Sequence, residues 1–287
     1  PKECMEILLA ASEFILHGSA FAWSSAERLK RPGLLPGWRK KSLAWKKAGS
    51  AIFINGMKGM EAAVINAETW MADLLPQLQQ TFGARLRYLG LQGSYRRGEA
   101  TEASDIDVVV LLDVVALEDL DVYRAIVRAM PEGQKACGFI GGAGDIFHWP
   151  RHELFAFQKD TEDWFGKLED FLPVITDEDA EDSAKIGAAG LVHLLTHTYL
   201  YADAETRTLV LKDAYKAAFF VMLVRRYLAS GVFCRNKKEL LTGLEGSEKD
   251  IIAAGLDLPL WLAAHTERQC YDTLLRWCKD VLQGRSL

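Results

Sequence analysis

Asp105 and Asp107 stand one residue apart at the head of an apolar, β-branched run, Asp105-Ile106-Asp107-Val108-Val109-Val110-Leu111-Leu112. A strand sends residues i and i+2 to the same face, so both carboxylates share one side while Ile106 and Val108 point into the core. Like charges placed so close repel, and a chain selected for stability alone would seldom keep them. A divalent cation would compensate the pair. Hard oxygen donors in this arrangement suit Mg2+, which keeps several waters and takes further ligands from substrate phosphates. The carboxylates therefore imply a phosphate-bearing substrate.

The residues just upstream fit the same chemistry. Gly93 lets the backbone come close to a ligand, Ser94 offers a hydroxyl, and the amides of a turn or helix start can cradle phosphate oxygens. Arg96 and Arg97 add charge-assisted donors, and Arg97, beside Gly98, is the better placed to grip a phosphate in a fork. Further along, Lys212 and Lys216 begin a long apolar helix. They either solvate its first turn or, in the case of Lys216, reach a triphosphate across a cleft. His193 and His197 have the i, i+4 spacing of two ligands on one helix, but no third ligand accompanies them, so they stay outside the metal site. The aromatics Trp149, Phe155, Phe157, Trp164 and Phe165 read as core, with one of them available to stack on a base.

Elements that could position these groups follow from periodicity. Apolar residues between 59 and 82 recur at helical intervals, 85–92 alternates as a strand, and 105–112 has the content of a buried strand. A helix is expected over 117–130, a short strand over 136–142 and an aromatic-rich strand over 152–160. After Pro173 the chain reads as successive helices, the first capped by the acidic stretch 176–182. The expected divisions are an N-terminal extension (1–55), an α/β core (56–172) and a helical bundle (173–287). Residues 1–24 read as an amphipathic helix, and 28–47 as a basic segment that either solvates a face or meets an anionic partner.

Composition narrows the class. Of 287 residues, 49% are hydrophobic and 25% charged, as in a soluble globular protein, and no apolar run is long enough to span a membrane. Five scattered cysteines without a C-x-x-C pair suggest neither a disulfide framework nor a zinc site, so a reducing cytoplasm is the expected setting. A net charge of -5 argues against a general affinity for nucleic acid.

Leu91-Gln92-Gly93-Ser94, followed after about ten residues by Asp105-Ile106-Asp107-Val108, resembles the nucleotidyltransferase superfamily with the DNA polymerase beta-like fold. It is closest to the bacterial small-molecule, aminoglycoside-type branch. The resemblance implies an α+β fold, with a mixed sheet and flanking helices forming the core and an α-helical bundle following it. It implies a Mg2+-dependent enzyme, with one or two ions, that moves a nucleoside monophosphate, AMP from ATP in the first instance, onto a hydroxyl of a small molecule or protein. Gly93, Ser94, Arg97, Ser104 and Lys216 would bind the nucleotide, and Asp105 and Asp107 the metal. A third carboxylate on a neighbouring strand is also implied, acting as metal ligand or base. Asp160 is the choice, with Glu153 and Asp145 as alternatives. The competing expectation is a nucleotide-binding regulatory or toxin-antitoxin module with little turnover. A homodimer is left open.

Overall fold

The computed structural model describes residues 64–284, so the expected N-terminal helix and the basic segment 28–47 lie outside the described residues. The first helix, α1 (Ala67–Phe82), starts where the Asn66 side chain accepts a hydrogen bond from the Thr69 amide at 3.0 Å. It buries Trp70, Met71, Leu74, Leu78 and Phe82, a stripe that faces one side of a sheet. Strand β1 (Leu86–Gln92) leads directly into a short helix, α2 (Gly93–Arg97), and a loop then returns the chain to β2 (Ile106–Leu112). Helix α3 (Leu117–Ala129) and strand β3 (Ala136–Gly142) follow, then the single turn α4 (Ala143–Ile146), helix α5 (Arg151–Lys159) and strand β4 (Glu162–Phe165).

The four strands are ordered β3-β2-β1-β4, with β1 antiparallel to both β2 and β4 and β2 parallel to β3. This is the expected mixed sheet. Leu89, Leu91, Val108, Val110 and Leu112 form one face and pack on α1 and α3. Tyr88, Val109 and Leu111 form the other and pack on Ile146, Leu154, Phe157 and Leu168. The alternation along β2 is thus satisfied on both sides, which explains why the whole strand is buried.

Residues 152–160 differ from expectation. They form helix α5 with Asp160 as its C-cap, and the fourth strand comes only afterwards. The apolar run misleads because this helix serves two cores. Leu154 and Phe157, three apart, lie under the sheet, while Phe155, about 100° around the helix axis from Leu154, enters the bundle core. Apolar side chains on two faces of a short helix imitate the pattern of a strand. Pro150, at φ -55 just before the first turn, sets the helix start.

The bundle begins at α6 (Asp177–Tyr201), where Thr176 and Asp179 form a reciprocal capping box, the role expected of the acidic stretch. It continues through α7 (Ala204–Ser230), α8 (Lys237–Thr242), α9 (Gly246–Leu256), α10 (Leu258–Ala264) and α11 (Glu267–Leu282). Ala180, Ala184 and Ala188 on α6 and Ala214, Ala217 and Ala218 on α7 lie in one core, where small side chains let the two long helices approach closely. Among the described residues no helix is long and apolar enough to cross a membrane.

Phe155 is 3% exposed and meets Tyr227 at a tilt and Phe233 edge to face, at centroid separations of 5.1 and 6.2 Å. Phe155→Ala is expected to cost about 3–5 kcal/mol of stability, read as a lowered denaturant midpoint. A loss below about 1 kcal/mol would contradict the two-core role of α5.

Candidate active site

The site forms where β1 and β2 run side by side. Gln92, the last residue of β1, is in register with Asp107, and Asp105 immediately precedes β2. The chain turns into α2 directly after Gln92, with Gly93 at φ +73. A Cβ at position 93 would lie 1.9 Å from the Asp107 carboxylate, so glycine is required here by both backbone conformation and space. The Gly-Ser step and the paired carboxylates are therefore one packed unit.

Asp107 is 7% exposed. Burial pushes its pKa up to about 7. The guanidinium of Arg97 and the ammonium of Lys216 oppose that rise, while the charges of Asp105 and Asp160 add to it. Two negative groups beside a buried carboxylate, with Lys216 approaching from α7, are what a bound cation and an anionic ligand would complement. The donor set suits Mg2+: carboxylate oxygens from two residues, with the remaining positions left to water and phosphate. No group of three His, Cys, Asp or Glu side chains among the described residues is arranged to share one metal ion.

That finding bears on the third carboxylate. On the two strands flanking β2, the residues in register with Asp107 are Gln92 and Cys137, and neither is an acid. Asp160 reaches the site from the end of a helix instead. It is 7% exposed, forms ion pairs with Arg97 and with Arg96 (3.3 Å), and accepts a hydrogen bond from the Gly93 amide. Burial raises its pKa, and the two guanidiniums and that amide oppose the rise. Glu153 lies seven residues earlier on the same helix, about 10 Å along its axis, with its carboxylate 4.0 Å from the His152 ring. Asp145 follows the far end of β3, whose Gly142 pairs with Leu112, so it sits at the opposite end of the sheet from Asp107.

Arg97 differs from its expected role as a phosphate fork. It is 6% exposed: Nη1 donates to Asp160, Nε lies 3.5 Å from Glu99 at ion-pair distance without a hydrogen bond, and its guanidinium sits 5.4 Å from the centre of the Phe220 ring. Its charge acts on Asp107 from within the fold. Ser94 lies in the first turn of α2, half-buried. Ser104, next to Asp105, accepts a hydrogen bond from the Thr101 amide at 2.9 Å and closes the loop between α2 and β2. Lys216 is exposed on α7, the position from which it acts on Asp107. His193 and His197 stack at 6.3 Å on α6 and join no ligand group.

Gln92, which in the sequence enters only as part of the Leu91–Ser94 stretch, has a role of its own. It is 3% exposed, and its amide donates to the Phe157 carbonyl at 3.1 Å, tying the C-terminus of α5 to the end of β1 and so delivering Asp160. A lone amide closing an apolar strand immediately before a Gly-Ser step was the available signal.

Residues 73–186 match the family model described as Nucleotidyltransferase domain, a stretch that runs from within α1 into α6 and contains the whole carboxylate site. Over those residues the chain is similar to a nucleotidyltransferase domain, and the match supports a transferase. No curated protein matches the chain. One solved structure similar to it is a spectinomycin adenyltransferase from Enterococcus faecialis with ATP and spectinomycin. That similarity has 12% identity and a TM-score of 0.47, and covers 74% of this chain and 98% of that one.

A carboxylate whose folded pKa lies above its unfolded value of about 3.9 leaves the native state binding the extra proton between those two values, so stability falls as pH rises across that window. Asp107→Asn removes the charge. It is therefore expected to raise the metal-free melting temperature at pH 8 and to lose most of that gain at pH 4, as followed by thermal unfolding. Gly93→Ala, which forces a Cβ into the Asp107 carboxylate, should reduce turnover at least about 10²-fold, given how steeply rate depends on placement. Near-native turnover in that variant would show that the Gly93–Asp107 contact is dispensable.

Proposed function

We propose that this chain transfers a nucleoside monophosphate, AMP from ATP in the first instance, onto a hydroxyl of a small molecule or protein and releases pyrophosphate. The observation that supports it most directly is the packing of the Gly93-Ser94 step against paired carboxylates inside the matched nucleotidyltransferase domain. In this reading Asp105 and Asp107 hold Mg2+, and Ser94 with the first turn of α2 receives phosphate oxygens. Lys216 supplies a cation from the bundle side. Mg2+ bound there would neutralise charge that builds on the phosphates as the acceptor oxygen attacks and pyrophosphate departs. The chain's own contribution is positioning: a buried carboxylate, Asp107, fixed by β2 with Asp105 just ahead of it, a glycine turn fixed against Asp107, and Arg97 held as its internal counter-charge.

Asp160 enters this reading as an anchor and not as a base. Its carboxylate already accepts from Arg97, Arg96 and the Gly93 amide, which leaves little capacity for an acceptor proton. Asp160 therefore shapes the loop that holds the nucleotide.

One observation favours a second reading, a nucleotide-binding module with little turnover: neither strand beside Asp107 offers an acid in register with it. The two separate cleanly in one assay. Incubation of the full chain with ATP and Mg2+ and a panel of hydroxyl acceptors is expected to give Mg2+-dependent pyrophosphate release, abolished by Asp105→Asn and by Asp107→Asn. ATP binding without release across the panel would select the module, and near-native release in either variant would remove these residues from the metal site.

A further inference from the structure

Helix α2 is only five residues long, so nearly all its carbonyl groups need partners from outside. Its own turn supplies two. Gly98, left-handed at φ +71, donates from its amide to the Tyr95 carbonyl at 3.1 Å, and the Glu99 amide donates to the Ser94 carbonyl at 2.8 Å, the pairing of a Schellman closure. The other two come from the bundle. Arg235 donates from Nε and Nη2 to the Arg96 carbonyl at 3.2 and 2.9 Å, and the Asn236 amide donates to the Arg97 carbonyl at 3.5 Å.

The same turn places Glu99 between the bundle and the site. Its carboxylate accepts from the Lys237 amide at 2.8 Å and from Lys237 Nζ at 3.2 Å, and the same oxygen that meets Nζ lies 3.5 Å from Arg97 Nε. Lys237 is held in turn over the Phe219 ring, while the neighbouring Phe220 lies against Arg97. Lys237, Glu99 and Arg97 thus form a continuous charged chain from the first residue of α8 to the counter-charge of Asp107.

We propose that Glu99 and Lys237 are positioning residues for nucleotidyl transfer: Lys237, from the bundle, fixes Glu99, which fixes Arg97 and with it the turn that packs on the metal-binding carboxylates. The proposal rests on the reading of Asp105 and Asp107 as metal ligands. It gives the bundle a part in the geometry of the transfer step beyond any contact with acceptor. Both side chains are about one-fifth exposed, so removing their charge leaves the apolar cores intact. Lys237→Met keeps most of the stem and loses the ion pair, and Lys237→Arg keeps a cation.

The test measures kcat, nucleotide KM and melting temperature for Lys237→Met, Glu99→Gln, the double variant and Lys237→Arg. It adds amide hydrogen exchange over residues 93–99, all on the full chain. Positioning is expected to appear as a 10- to 100-fold loss of kcat in each single variant, with KM changed less than threefold and melting temperature little affected. The double variant should lose no more than the worse single one, and Lys237→Arg should recover most of the rate. Exchange over 93–99 should quicken in Lys237→Met and Glu99→Gln. Wild-type kcat in both single variants overturns the proposal, as does an equal rate loss in Lys237→Met and Lys237→Arg accompanied by a matching fall in melting temperature. If the wild-type chain releases no pyrophosphate, the transfer reading fails by itself and exchange decides the coupling: quickened exchange upholds it, and unchanged exchange overturns it.

Discussion

A buried carboxylate with another carboxylate beside it is the constraint to which the rest of this fold answers. Asp107 sits at the mouth of a strand otherwise made of isoleucine, valine and leucine, and its charge is opposed from inside by one guanidinium. That guanidinium cannot remain there unaided, because an isolated buried cation is as costly as an isolated buried anion. Asp160 and Glu99 supply its counter-charges, and each of them is anchored by a different part of the chain. Asp160 is brought in by the end of α5, which the Gln92 amide ties to β1, and Glu99 by the turn after α2, which Lys237 ties to the bundle. Charges of alternating sign thus extend from the strand in both directions. The sheet, α5 and the bundle are all needed to close the arrangement.

The chemistry-bearing core was legible because it is local. Gly93-Ser94 and Asp105-Ile106-Asp107 lie within fifteen residues of one another. Their spacing already implies a strand, a tight turn and a returning strand, and β1, α2 and β2 form as that spacing requires. The β-branched content of 106–112 marked β2, and the acidic stretch after Pro173 marked the start of α6, because each depends on rules acting over a few residues.

What escaped was decided by contacts distant in sequence. Residues 151–159 are a helix because Leu154 and Phe157 belong under the sheet while Phe155 belongs to the bundle, and no local pattern states that two cores meet there. The commitment of Arg97 to Asp160, 63 residues later, is equally invisible, since an exposed arginine and a buried one read alike in a sequence. Arg235, Asn236 and Lys237 carry no motif at all. They matter because their loop meets the end of a helix some 139 residues earlier.

The two faces of α5 bear on where this protein can be divided. Its chain position places it in the α/β half, yet the ring of Phe155 is enclosed by Tyr227 and Phe233 of the other half. A cut between β4 and α6 would leave that ring facing water on one fragment and an aromatic-lined hollow on the other, each an apolar surface prone to self-association. The two halves therefore cannot be treated as modules on a tether. Sequence change at their junction has to be matched on both sides, so the bundle could be exchanged only together with the helix that keys into it.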